Sequence, residues 1–90
     1  MVERSYEVGE IREFVYEVKS SQIETVVISS ARWRMLDRDG AECSSGVCTV
    51  ENHRITMVIP MTAAGVYILE LTAVIPPETI IERTEIKVVT

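Results

Sequence analysis

Apolar residues recur at every second position along most of this chain, and that period excludes a helical fold before anything else is considered. In Arg12–Val18 the residues Phe14, Tyr16 and Val18 alternate with Glu13, Val15 and Glu17. In Ala31–Leu36 the residues Ala31, Trp33 and Met35 alternate with Arg32, Arg34 and Leu36. Ile55, Met57 and Ile59 share one face, as do Tyr67, Leu69, Leu71, Ala73 and Ile75, and then Ile86 and Val88. Successive side chains of a strand point to opposite faces, so each stretch reads as a strand with one buried side. Most are rich in the β-branched and aromatic residues that pack well on a pleated surface.

The punctuation agrees with strands. Asp37-Arg38-Asp39-Gly40 reads as a turn with glycine supplying the left-handed residue. Ser44-Ser45-Gly46 reads as a second turn, Thr62–Gly65 precedes a strand, and Pro76-Pro77-Glu78 separates the last two. A turn-like piece is also read at 20–25. Strands are expected near 2–8, 11–18, 26–37, 41–43, 48–51, 54–60, 65–75 and 79–89. Short strands at such spacing predict an all-β, antiparallel two-sheet sandwich of about seven strands, with one inner face per strand filling the space between the sheets.

At 90 residues the chain is expected to be one domain, 1–90. It is 47% hydrophobic and 26% charged, so it has enough apolar surface to form a core and no low-complexity tract. A net charge of −5 argues against a nucleic-acid partner, which requires a dense basic surface. The first ten residues have no apolar stretch after their charges, and no apolar run is long enough to cross a membrane. A cytoplasmic location is expected, with reduced cysteines.

Trp33 on the third main strand, followed by Gly65-Val66-Tyr67, resembles the core tryptophan and Gly-x-Tyr of the immunoglobulin-like sandwich. Leu69 stands where true immunoglobulin domains carry the second cysteine of their inter-sheet disulfide. The order of Trp33 strand, Asp-Gly turn, Gly-x-Tyr strand and closing hairpin also resembles small immunoglobulin-like proteins of phage and prophage virions. That resemblance implies a non-enzymatic assembly component of capsid, neck or tail, virion-associated and acting through a protein partner or copies of itself. Such a component is expected to be a monomer or weak oligomer in isolation. The alternative is a small module binding a ligand such as carbohydrate through its loops.

The candidate sites are few. Cys43, Cys48 and His53 could supply part of a zinc tetrad, but the cysteine spacing is not a zinc knuckle and no second pair exists. No group is available to activate a cysteine nucleophile. If Ser45-Gly46 is a two-residue hairpin loop, Cys43 and Cys48 face each other across it, as reduced thiols or as a disulfide. No catalytic residue, metal ligand or cofactor is assigned. Arg32 and Arg34 read as the solvated face of their strand, with Glu70 as a cross-strand partner. Trp33 and Tyr67 read as core. One feature points to a contact surface: Val58, Val66, Ile68, Val74 and Ile81 all face outward as an apolar strip.

Overall fold

The computed structural model describes residues 4–18 and 27–90. The turn read at 20–25, and the expected strand starts at 2 and 26, lie outside the described residues. Eight strands form two sheets: β1 (Arg4–Glu7), β2 (Ile11–Glu17), β3 (Ser30–Leu36), β4 (Glu42–Val47), β5 (Thr49–Glu51), β6 (Arg54–Pro60), β7 (Gly65–Ile75) and β8 (Glu78–Val89). The larger sheet has the order β1-β8-β7-β3-β4 and the smaller β2-β6-β5. This is the expected all-β two-sheet sandwich, and its eight strands equal in number the eight expected stretches.

Every pairing is antiparallel except that of β1, which runs parallel to the end of β8 from Arg4↔Ile86 to Glu7↔Val89. A hairpin would force β1 to be antiparallel to its successor in the same sheet. Here the chain instead leaves for the other layer. A tight turn at Val8-Gly9, with Gly9 at φ 98°, carries it into β2. The Gly9 N–H donates to the Met61 carbonyl and the Met61 N–H to the Glu10 carbonyl, both at 2.8 Å, which pins this crossing to the end of β6.

The period-two reading places the core correctly. Phe14, Trp33, Met35, Ile55, Met57, Ile59, Leu69, Leu71, Ile86 and Val88 are all buried, and Tyr67 is half-buried against them. The Asp37 turn forms as expected: its carboxylate accepts the N–H groups of Asp39 and Ala41, each at 2.9 Å, with Gly40 at φ 85°. The Tyr67 hydroxyl donates to the Ala63 carbonyl at 3.0 Å, a corner that ties the start of β7 to the loop before it.

The expected turn at Ser44-Ser45-Gly46 is not there. Those residues lie inside β4, paired to β3 from Arg32↔Val47 to Met35↔Ser44. The glycine serves a different purpose. Gly46 is opposite Trp33, and a Cβ placed on it would lie 2.7 Å from the indole Nε1. A bare backbone is what lets the largest core side chain reach the edge strand. The chain then switches sheets at Cys48, between β4 and β5. Cys43 and Cys48 are therefore not hairpin partners: Cys43 is exposed, Cys48 is buried, and both thiols are free.

Candidate functional site

The side chains singled out in the sequence fall in separate places. His53 sits in an exposed turn between β5 and β6, near Glu17, Glu51 and Arg54, and Arg54 pairs with Glu17 at 3.3 Å. Cys48 is packed in the core, and burial pushes its thiol up to about 11, so it is a protonated, inert group at neutral pH. Among the described residues no group of three His, Cys, Asp or Glu side chains is placed to hold a metal ion. The zinc tetrad considered from sequence is thus taken apart by the fold.

The outward strip is also divided. Val66, Ile68 and Val74 do face outward from β7, and Ile81 lies beside Thr72 on β8. Val58 faces outward from β6, on the opposite layer of the sandwich, and cannot join them. The strip is interrupted at its centre by Glu70. Its carboxylate accepts from Arg34 Nε of β3 at 2.6 Å and from Arg83 Nε of β8 at 2.9 Å. The Arg34 partnership is the one expected; that of Arg83 is not legible without the strand order. The two guanidinium groups cover Glu70 so fully that its side chain is only 5% exposed, on a face that otherwise meets solvent.

The Arg34 hydrogen bond, with Arg83 behind it, holds the Glu70 carboxyl below its ordinary value against the opposing effect of burial. A depressed pKa in the folded state means that the triad stabilises the fold above the unfolded carboxylate pKa of about 4.5 and that this contribution is lost as the pH falls through the folded value. Glu70→Gln removes the titration. The denaturation midpoint of the variant is expected to fall less than that of the wild type on acidification below pH ~4.5. Equal acid sensitivity of the two proteins would contradict the role assigned to the triad.

One cleft has three sulfur-bearing residues in its lining. It has a volume of about 150 Å³, and Met35 of β3, Cys43 of β4 and Met61 after β6 line it together with Ser44, Pro60, Thr62, Ala63, Tyr67 and Val88. Met35 and Met61 are almost fully buried and Cys43 is exposed, so the lining reaches from the interior to the surface. Cys43 reaches this place through a β-bulge: Met35 pairs with Ser44 and Leu36 with Glu42, which leaves Cys43 as the extra residue. Met61 is pinned by its two backbone bonds to Gly9 and Glu10, and the loop after it by the Tyr67 hydroxyl. The walls are therefore set by the fold. Sequence reasoning placed Met35 in the core and had no sign of the cleft, because a methionine that lines it and one that only packs look alike in sequence.

The sequence matches no family model and no curated protein. Its fold, a small two-sheet β-sandwich, is similar to that of CopC from Methylosinus trichosporium OB3b. That solved structure aligns with a TM-score of 0.70 at 13% identity, over 99% of this chain and 85% of that one. At this identity the likeness establishes the fold.

Two expectations are corrected by it. A solved structure that shares this fold is CopC, not a virion component, so the phage and prophage assembly role is withdrawn. The residues that suggested it, Trp33, Gly65 and Tyr67, belong to the core and corner of the sandwich. The cytoplasmic or virion-associated location conflicts with the same likeness and is withdrawn with it.

Proposed function

We propose that this protein is a small, non-enzymatic metal-binding sandwich whose ligand is a soft monovalent ion, Cu(I) in chemical type, held by Met35, Cys43 and Met61. The observation that carries the reading is the convergence of a thiol and two thioethers on one cleft, while His53 lies elsewhere. Thiolate and thioether donors favour Cu(I) over the divalent ions that prefer imidazole or oxygen. Structural zinc generally takes four ligands, and this donor set has three. The likeness to CopC supports a small metal-binding sandwich of this kind.

The protein's own part is to present these donors already in place. Two buried methionines cost nothing to keep dry, and Cys43 at the rim gives an entry. The cysteine binds such an ion through its thiolate sulfur, the soft anionic donor of the set.

The test is an anaerobic Cu(I) titration against a chromophoric competitor, with circular dichroism to verify the fold of each variant. The wild type is expected to take up about one equivalent, with uptake abolished in Cys43→Ser and weakened in Met61→Leu, where the thioether is exchanged for an apolar group of like size. His53→Gln should bind as the wild type does. Uptake that survives Cys43→Ser and Met61→Leu but disappears in His53→Gln would overturn the assignment.

A further inference from the structure

One turn holds two separate walls of the sulfur cleft. It is the crossing from Glu7 to Glu10, by which the chain leaves β1 for β2. Gly9 donates its N–H to the Met61 carbonyl and Met61 donates its own to the Glu10 carbonyl, so both backbone groups of Met61 end on this turn. Val8 donates its N–H to the Val89 carbonyl at 2.9 Å, next to Val88 in the lining of the same cleft. We infer that Glu10 is a positioning residue for this cleft: its carboxylate fixes the turn, and the turn holds Met61 in place.

The carboxylate closes the turn on itself. Glu10 donates its N–H to the Glu7 carbonyl at 3.1 Å, and its Oε2 accepts the Glu7 N–H at 2.6 Å. The two bonds run in opposite directions between the same two residues, so neither end of the turn moves without the other. A hydrogen bond to an ionised acceptor is about twice as strong as a neutral one. The second carboxylate oxygen, Oε1, accepts from Arg12 Nη1 at 3.0 Å, an exposed pair that contributes little. Between them Gly9, at φ 98°, takes a conformation that other residues adopt only with strain.

Met61 depends on this hold because of where it stands. The ladder between β6 and β2 ends at Pro60, opposite Ile11. Pro60 has no N–H to give, and beyond it the turn takes over the pairing through Gly9 and Glu10. The Met61 side chain is almost fully buried, so a shift of its backbone moves a thioether that lines the cleft. The effect of Glu10 on metal uptake rests on the Cu(I) reading above; its effect on Met61 does not.

The test has two arms. The first is amide hydrogen exchange in the metal-free protein, read by NMR at Gly9 and Met61, the donors of the two bonds. Glu10→Ala is expected to speed exchange at both by roughly three- to tenfold, the factor that loss of one hydrogen bond gives. The amide of Leu71, on the central strand β7, should exchange as before. Glu10→Gln keeps an acceptor oxygen and should restore most of the wild-type rate, and Arg12→Gln should change nothing. The second arm is the Cu(I) titration. There Glu10→Ala should still take up about one equivalent but bind it roughly tenfold more weakly, as loss of a group that orients a ligand does, with recovery in Glu10→Gln. Unchanged exchange at Met61 in Glu10→Ala, equal acceleration at Leu71, or unchanged Cu(I) affinity would overturn the positioning role. A wild type that takes up no Cu(I) overturns the metal reading instead, and the exchange arm then decides the role of Glu10 alone.

Discussion

Trp33→Ala is expected to destabilise the domain by about 3–5 kcal/mol, the usual cost of removing a large aromatic residue from a packed core. The indole is 6% exposed and belongs to the cluster shared by both sheets. It is opposite Leu71 on one side and Gly46 on the other, so its loss opens a cavity between the central strand β7 and the edge strand β4. Domains of this size are stable by only ~5–15 kcal/mol, and the variant should be partly or wholly unfolded at 37 °C. Chemical denaturation measures this directly. A cooperative transition within ~1 kcal/mol of the wild type would show that the tryptophan is not part of the core.

Gly46→Val is the complementary experiment, with the defect inserted from the other side. A Cβ alone would lie 2.7 Å from the indole Nε1 and 2.9 Å from two of its ring carbons. No carbon sits that close without movement, and the tryptophan is packed too tightly to move freely. Overpacking a core costs about 1–3 kcal/mol, and the further methyl groups of valine place this substitution at the upper end. Valine is otherwise a better strand former than glycine, so secondary-structure preference alone predicts that the variant is stabilised. The opposite signs make thermal denaturation decisive. A rise in Tm would mean that Gly46 is not a cradle for Trp33.

The same glycine shows why part of this fold was legible in the sequence and part was not. The alternation of apolar residues at β2, β3, β6, β7 and β8 is a local property, and it places every inner face correctly. Ser44-Ser45-Gly46 carries equally local turn chemistry, but the glycine answers to a tryptophan on a neighbouring strand. Nothing near it in sequence distinguishes the two demands. Glu70 is a similar case. Its alternation places it outward, as found, yet it is almost fully covered because the strand order puts Arg34 and Arg83 on either side.

The sulfur cleft was the least legible. Met35 follows the core pattern of β3, and Met61 lies just beyond a strand. Only the Cys43 bulge and the crossing held by Gly9 and Glu10 bring them to one place. The two cysteines read as a pair in the sequence, whereas the fold separates them, with Cys48 in the core and Cys43 in the lining of the cleft that Met35 and Met61 also line. Val58 illustrates the reverse error, a residue grouped by its outward phase with others that belong to the opposite sheet.

The central claim concerns the donor set, and X-ray absorption at the copper edge of the protein loaded anaerobically with Cu(I) tests it most directly. A nearest shell made only of sulfur, which loses a scatterer in Met61→Leu and is not formed in Cys43→Ser, is the predicted result. A shell containing nitrogen or oxygen that is unchanged in both variants would contradict it.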